Sequence, residues 1–259
     1  MSAFEVYALC YGRRMGYRGE HFLGYGRDSA EPHPTAYYVW LAVSPEHTVV
    51  VDAGIRAERA QGVPGLDYVE PVRLLEEFGV DARTVEHVVL THLHYDHCGA
   101  VGEFPRARFV VQRSEVDYWT GPWAKRIERE RWLLDEVVLE HLAAAGERVR
   151  LVDGDAEVVP GLSVHLVGGH TAGMQVVRVE TAGGAVVLAS DASHFHENIR
   201  NDHPAPLLHS MTGVYGAFDR VTELAAGSGL VVPGHDPEVL ARYPPAAGRI
   251  VRISGPSGS

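Results

Sequence analysis

Short aliphatic runs, each closed by a sharp polar turn, recur along the chain. Residues 39–43 (VWLAV) and 48–51 (TVVV) flank the turn-prone Ser44-Pro45-Glu46-His47 and predict a β-hairpin. Residues 72–78 carry apolar side chains at helical spacing, with Gly79 placed to end the helix. A buried strand at 87–90 leads straight into Thr91-His92, and 108–112 reads as another strand. Residues 114–146 are largely helical in composition, broken at Gly121-Pro122 and dense in aromatics (Tyr118, Trp119, Trp123, Trp132).

The second half repeats the theme. Residues 162–167 alternate and end at Gly168-Gly169-His170, while 175–180 and 185–189 flank Ala182-Gly183-Gly184, a strong hairpin signal. A helix is expected over 211–226, and 230–232 runs into Pro233-Gly234-His235. Five of the predicted strands (49–51, 87–90, 162–167, 185–189 and 230–232) each deliver an aspartate or histidine at or just beyond the end. The pattern predicts an α/β protein of two strand-rich halves with helices outside and a site along one sheet edge. The halves are placed at about 1–150 and 151–253 of a single domain, joined near 146–154, and 254–259 (SGPSGS) reads as a flexible tail.

Composition narrows the function classes. A chain of 259 residues with 46% apolar and 22% charged residues suits a globular protein with a substantial core. A net charge of −11 argues against non-specific nucleic-acid binding and against adhesion to anionic membranes. No apolar run is long enough to span a bilayer, and residues 1–14 lack the pattern of a secretory leader. Two cysteines, Cys10 and Cys98, give no disulfide framework, so a cytoplasmic location is expected. Exposed hydrophobes would serve a homodimer contact.

Fifteen histidines are the informative surplus. His92-x-His94-x-Asp96-His97 places three imidazoles and a carboxylate within six residues, followed by His170, Asp191 and His235, each beyond a predicted strand. Borderline divalent ions such as Zn²⁺ bind imidazole and carboxylate well, and an open coordination position makes a bound water nucleophilic. If the segment is locally extended, His92 and His94 share one side, and a following turn turns Asp96 and His97 toward a second ion. A carboxylate such as Asp191 suits a bridge, and His170 and His235 complete two nitrogen–oxygen sites. Two divalent ions, two carboxylates and one hydroxide leave about +1, a charge that attracts a carbonyl oxygen or an oxyanion. With no four-cysteine cage available, a purely structural zinc is disfavoured. Isolated histidines such as His141 and His165 are expected to make ordinary hydrogen bonds, and Cys98 to be a small packed residue.

These motifs, in this order, resemble the metallo-β-lactamase superfamily. Thr91-His92-Leu93-His94-Tyr95-Asp96-His97 matches its signature, and Asp52-Ala53-Gly54, Gly169-His170-Thr171, Ser190-Asp191 and Gly234-His235 match its further motifs. The resemblance runs from about 35 to 235 and implies a four-layer αβ/βα sandwich with two metals at one sheet edge. It implies that His92, His94 and His170 hold the first ion, Asp96, His97 and His235 the second, and Asp191 both. Asp52 would then fix a ligand imidazole or its loop. The ions are expected to be zinc, with iron, manganese and cobalt also suited to such donors.

Within the superfamily, HLHYDHCG and SDAS are similar to quorum-quenching N-acyl-homoserine lactonases and pyridoxolactonases. The likeness implies a hydrolase that opens a small lactone by attack of a metal-activated hydroxide, with Asp96 in the catalytic machinery. One departure stands out. Those lactonases usually carry a tyrosine three residues after the bridging aspartate; here the position is His194, which can donate a hydrogen bond or a proton. Residues 16–34 are expected to cover the site, and Trp119, Trp123 and Tyr215 are candidates for an apolar wall, although aromatics at helical spacing more often belong to the core. Other hydrolyses on the same site (thioester, β-lactam, phosphodiester) and a non-catalytic metal-binding scaffold are the alternatives.

Overall fold

Alternation along the strands divides their side chains between two faces, and that division builds the layers. In Thr48–Val51, Val49 and Val51 point one way and Val50 the other; in Glu5–Tyr17, Val6, Ala8 and Cys10 oppose Tyr7, Leu9 and Tyr11. The structure, a computed structural model, describes residues 3–24, 26–226 and 229–254. Among these, nine strands form one sheet and five another.

The first sheet runs in the order Pro245–Ala247, Ile250–Ser254, Glu5–Tyr17, Pro32–Val43, Thr48–Val51, His87–Val89, Arg108–Gln112, Val149–Val152, with the short Asp67–Tyr68 paired to Glu5–Tyr17. The second is Leu230–Pro233, Gly184–Ser190, Gln175–Thr181, Leu162–Leu166, Ala156–Val159. Valines and leucines from both sheets meet in a shared core, where Val6, Trp40, Val51 and Val89 pack with Val164, Val177, Leu188 and Val232. Strands buried on both faces read as near-continuous apolar runs, as Trp40-Leu41-Ala42 and Val49-Val50-Val51 do.

Outside the first sheet, Leu74 and Leu75 of Pro71–Phe78, Trp119 of Arg113–Thr120, and Val138 and Leu142 of Glu136–Ala145 cover its second face. Outside the second sheet, Ala217 and Val221 of Met211–Leu224 do the same against Val176 and Val187. The layers are helix, sheet, sheet, helix: the expected αβ/βα sandwich.

Some expectations shift. The longest strand, Glu5–Tyr17, was not foreseen; it carries Gly12, Arg13 and Arg14 and lacks a clean period. The segment expected as a join at 146–154 holds instead a short 3₁₀ turn, Gly146–Arg148, and the edge strand Val149–Val152, parallel to Arg108–Gln112. The C-terminal strand Ile250–Ser254 returns to the first sheet beside Glu5–Tyr17, so sheet membership does not follow the chain boundary near 150. Of the tail expected at 254–259, only Ser254 lies within the described residues.

Thr48–Val51, His87–Val89 and Arg108–Gln112 run parallel, so their carboxyl ends open on the same edge. Gly184–Ser190 and Leu230–Pro233 are likewise parallel, with Ser190 opposite Pro233. Gln175 ties the two sheets together there: its backbone N–H donates to the Thr91 carbonyl at 2.9 Å and its side-chain amide to the Leu90 carbonyl at 2.7 Å.

Candidate metal centre

Each expected ligand emerges from one of those strand ends. Beyond His87–Val89 the chain bends at Thr91 and reaches His94, which is extended and is the N-cap of a single helical turn, Tyr95–Cys98. That turn swings Asp96 and His97 around from the direction of His92 and His94. Beyond Gly184–Ser190, Ser190 takes a positive φ of 46° and Asp191 follows; beyond Thr48–Val51, Asp52 has φ 62°. Left-handed backbone at a non-glycine residue is costly, and two of the three instances among the described residues border the site.

The side chains converge around Asp191. His92 Nε2 and His170 Nε2 each lie 3.0 Å from His94 Nδ1, and Asp191 Oδ2 is 3.4 Å from His170 Nε2 and 3.9 Å from His92 Nε2. On the other side, Asp191 Oδ1 is 3.1 Å from His235 Nε2 and 3.3 Å from His97 Nε2, and Asp96 Oδ2 is 3.7 Å from both nitrogens. Ligand atoms around a tetrahedral zinc, each about 2.05 Å from it, stand about 3.3 Å apart. The structure thus gathers His92, His94, His170 and Asp191 in one group and Asp96, His97 and His235 in another, with all ligand atoms of a group within 4.8 Å.

Hydrogen bonds on the far side of four of the five rings decide which nitrogen faces inward. His97 Nδ1 donates to Asp52 Oδ2 at 2.8 Å, His170 Nδ1 to the Leu207 carbonyl at 2.9 Å, and His235 Nδ1 to the Ala36 carbonyl at 2.9 Å. Thr91 gives its hydroxyl proton to Asp52 Oδ2 at 2.8 Å and so accepts from His92 Nδ1 at 3.1 Å. A neutral imidazole carries one N–H, so all four rings present an Nε2 lone pair to the centre. Lone pairs facing a carboxylate repel unless a cation lies between them. His97 Nε2 and Asp191 Oδ1 are buried without a hydrogen-bond partner, as divalent-metal ligands would be in a metal-free chain. The donor set fits a divalent metal.

The titration behaviour carries the same signature. Burial, with neighbouring imidazoles adding to it, holds His92 and His94 well below the ordinary histidine pKa, and burial pulls His170 down to about 3. Burial opposes charge on His97 too, yet Asp191, Asp96 and Asp52 raise it well above the ordinary value, and Asp191 chiefly lifts His235. Asp191 is itself held well below the carboxylate range: burial pushes upward, and His235, His97 and His194 outweigh it. The carboxylates call for positive charge at the positions of the second group.

His194 lies beside this centre, with Nε2 3.2 Å from Asp191 Oδ2 and Nδ1 3.1 Å from His21 Nδ1. The segment 16–34 begins and ends in strand and delivers His21 to the site. A cavity of about 390 Å³ opens over the cluster, lined by Tyr37, Tyr95, Asp96, Trp132, Leu133 and Leu207 among others. Of the expected wall residues, Trp119 is buried behind His94, while Trp123 and Tyr215 face solvent away from the cavity. The aromatic wall comes instead from Trp132, on a different helix, and from Tyr37 and Tyr95, which strands and the ligand turn supply. Cys98 is buried and its thiol contacts the His94 carbonyl at 3.0 Å, a packed residue rather than a ligand.

Sequence reasoning missed Glu115. This wholly buried carboxylate accepts from the Leu93 N–H at 2.9 Å, the Trp119 indole at 2.8 Å and the Gly173 N–H at 2.7 Å. It clamps the loop carrying His92 and His94 to the loop carrying His170. A glutamate in a helix's first turn gives no sign of this in sequence, because that place also suits an exposed, dipole-stabilising residue.

A model of the metallo-beta-lactamase superfamily matches residues 33–235. An N-acyl homoserine lactonase of Bacillus thuringiensis is 32% identical over 134 residues, 51% of this chain and 48% of the relative. The chain therefore spans about half the length of the curated relatives it matches in this way. N-acyl homoserine lactonase AttM of Azorhizobium caulinodans is 28% identical over 251 residues, covering 87% of this chain and 89% of its own. The solved structure of AidC, a dizinc quorum-quenching lactonase in complex with a product, covers 100% of this chain and 97% of that one with a TM-score of 0.75 at 16% identity, a likeness of fold. The sandwich, the strand-end cluster and the matched length agree: this chain belongs to the metallo-beta-lactamase superfamily.

Proposed function

We propose that this protein is a dinuclear metal-dependent hydrolase that opens small lactones, with N-acyl-homoserine lactones the first substrates to test. The convergence of two ligand groups on the two oxygens of Asp191 is the observation that carries the reading. His92, His94 and His170 would hold one ion and Asp96, His97 and His235 the other, with Asp191 shared and zinc the expected metal. When bound, such a pair supplies Lewis acidity toward a carbonyl oxygen and lowers the pKa of a water.

The chain's own residues then have distinct tasks. Tyr37 lines the cavity, and its hydroxyl, which burial pushes up to about 12, accepts from Arg14 Nε at 2.7 Å. Its own proton is left to hydrogen-bond a substrate carbonyl or ring oxygen. Asp96 lines the same cavity and would take the proton that the attacking water gives up. Addition of water breaks the ring C–O bond, and the proton ends on the released alkoxide to give a hydroxy acid. Trp132, Leu133, Tyr95 and Leu207 offer an apolar wall to an acyl chain.

A phosphodiester is disfavoured. Arg14, the one guanidinium among the described cavity-lining residues, is ion-paired with Glu20 and unavailable to a phosphate. The deciding experiment is pH-stat measurement of acid release from a panel of lactones, thioesters, β-lactams and phosphodiesters, using protein of known metal content. Acid release confined to lactones supports the reading. Two bound ions with no turnover of any ester would favour a metal-binding scaffold instead.

A further inference from the structure

The geometry points to His194 as an eighth metal ligand, presented through Nε2 and fixed in that tautomer by His21 and Thr35; this rests on the dinuclear reading above. The inference follows from where the protons must lie. His194 Nδ1 faces His21 Nδ1 at 3.1 Å, and His21 Nε2 faces Thr35 Oγ1 at 2.8 Å. Two arrangements satisfy that chain. In the first, His21 Nε2–H donates to Thr35 Oγ1, His194 Nδ1–H donates to His21 Nδ1, and His194 Nε2 is left as a lone pair. In the second every proton is reversed, and His194 Nε2–H points into the site.

Two observations favour the first. Thr35 Oγ1 has the His33 carbonyl at 3.5 Å to receive its own proton, leaving its lone pairs for His21. More decisively, His194 Nε2 is buried and makes no hydrogen bond, although Asp191 Oδ2 lies 3.2 Å away. An N–H there would be an unsatisfied buried donor, and a lone pair there would oppose a carboxylate; only the lone pair is relieved by a cation between the two. A ring nitrogen of His194 also falls within 4.8 Å of ligand atoms of both Asp191 and His235. The ring has little freedom to turn elsewhere. His21 is packed against Phe195 at 4.7 Å between ring centres, and its carbonyl accepts from Asn198 at 2.8 Å. A side chain that resemblance casts as a substitute for a tyrosine hydroxyl is thereby recast as part of the ligand set.

The test is the Co²⁺-loaded protein. Each coordinated imidazole bearing an N–H gives a hyperfine-shifted, solvent-exchangeable proton resonance. Loss of one such resonance in His194→Phe, with altered visible ligand-field bands and zinc affinity at one site weakened about 10-fold or more, supports ligation. His21→Leu removes the acceptor of the Nδ1 proton but leaves the His194 ring, so it should retain the ligand-field bands of a coordinated His194 and weaken zinc less than His194→Phe does. Circular dichroism melts check that both variants fold, and His194→Gln serves if the phenylalanine does not fit. Two ions bound with unchanged affinity, spectrum and resonance count in a folded His194 variant would overturn the inference while leaving the dinuclear reading intact. A wild-type chain that binds no metal would overturn both.

Discussion

Asp52 and His97 meet through a 2.8 Å hydrogen bond in which both side chains are all but inaccessible to solvent. The carboxylate accepts the Nδ1 proton, so Nε2 is the nitrogen aimed at Asp191. The same carboxylate accepts from the Thr91 N–H and hydroxyl, each at 2.8 Å, and thereby also sets the ring of His92 through Thr91. One aspartate orients a histidine in each group.

Asp52→Ala should therefore weaken zinc binding about 10- to 100-fold, the usual effect of deleting a carboxylate that orients a ligand histidine. Competition with a chromophoric chelator measures it. Wild-type affinity in a folded variant would show that the His97 ring is held by something else.

Gly234 is a second tight relationship. A Cβ at this position would lie 2.5 Å from Asp191 Oδ1 and 2.8 Å from the Ser190 carbonyl, so even a methyl group must displace the Asp191 carboxylate. Gly234→Ala should cost about 1–3 kcal/mol in stability, as overpacking does. It should also lower the metal content of the purified protein below that of a surface Gly62→Ala control, read by elemental analysis.

Why were the ligands legible in the sequence when parts of the fold were not? The strands that lead into the site are short and apolar on both faces, so pattern and chemistry coincide at Asp52, His92, Asp191 and His235. Glu5–Tyr17 lacked such a signal: it mixes two arginines and two glycines with its buried positions, and its pairing partners lie as far away as Ile250–Ser254. Long-range pairing leaves no local trace. The cavity wall is illegible for a related reason. Trp119, Trp123 and Trp132 look alike in a helical, aromatic-rich segment, and only packing puts Trp119 behind His94, Trp123 in solvent and Trp132 at the mouth.

Glu115 shows how a buried carboxylate links stability to pH. Burial raises its pKa against the opposing donors at Leu93, Trp119 and Gly173. A carboxyl whose folded pKa exceeds its unfolded one contributes stability that is fully present below the unfolded value and lost as pH rises through the folded value. Glu115→Gln abolishes that titration. The stability of the wild type relative to this variant should therefore decline as pH climbs from the ordinary glutamate range, as urea unfolding at successive pH values would reveal. A difference independent of pH would mean that Glu115 titrates alike in both states.

Metal removal ought to reverse the pH response of the whole fold. In the metal-free chain Asp191, Asp96 and Asp52 hold His97 above the ordinary histidine pKa, so its proton replaces the missing cation. A raised folded pKa gives stability that is complete below the unfolded histidine value and fades as pH rises through the folded one. The depressed Asp191 contributes the opposite limb, lost only as pH falls through its low folded value. Divalent ions compete with the protons on these rings, so metal binding strengthens as pH rises and releases protons. Melting curves of chelator-stripped and zinc-loaded protein between about pH 6 and 9 should accordingly diverge, the stripped form losing stability and the loaded form gaining on it. Hydrolysis should vanish on stripping and return with Zn²⁺, Co²⁺ or Mn²⁺. A gap in melting temperature that stays constant across that range would mean that no protons leave His97 or His235 when metal binds, and the ligand assignment of the second group would fail with it.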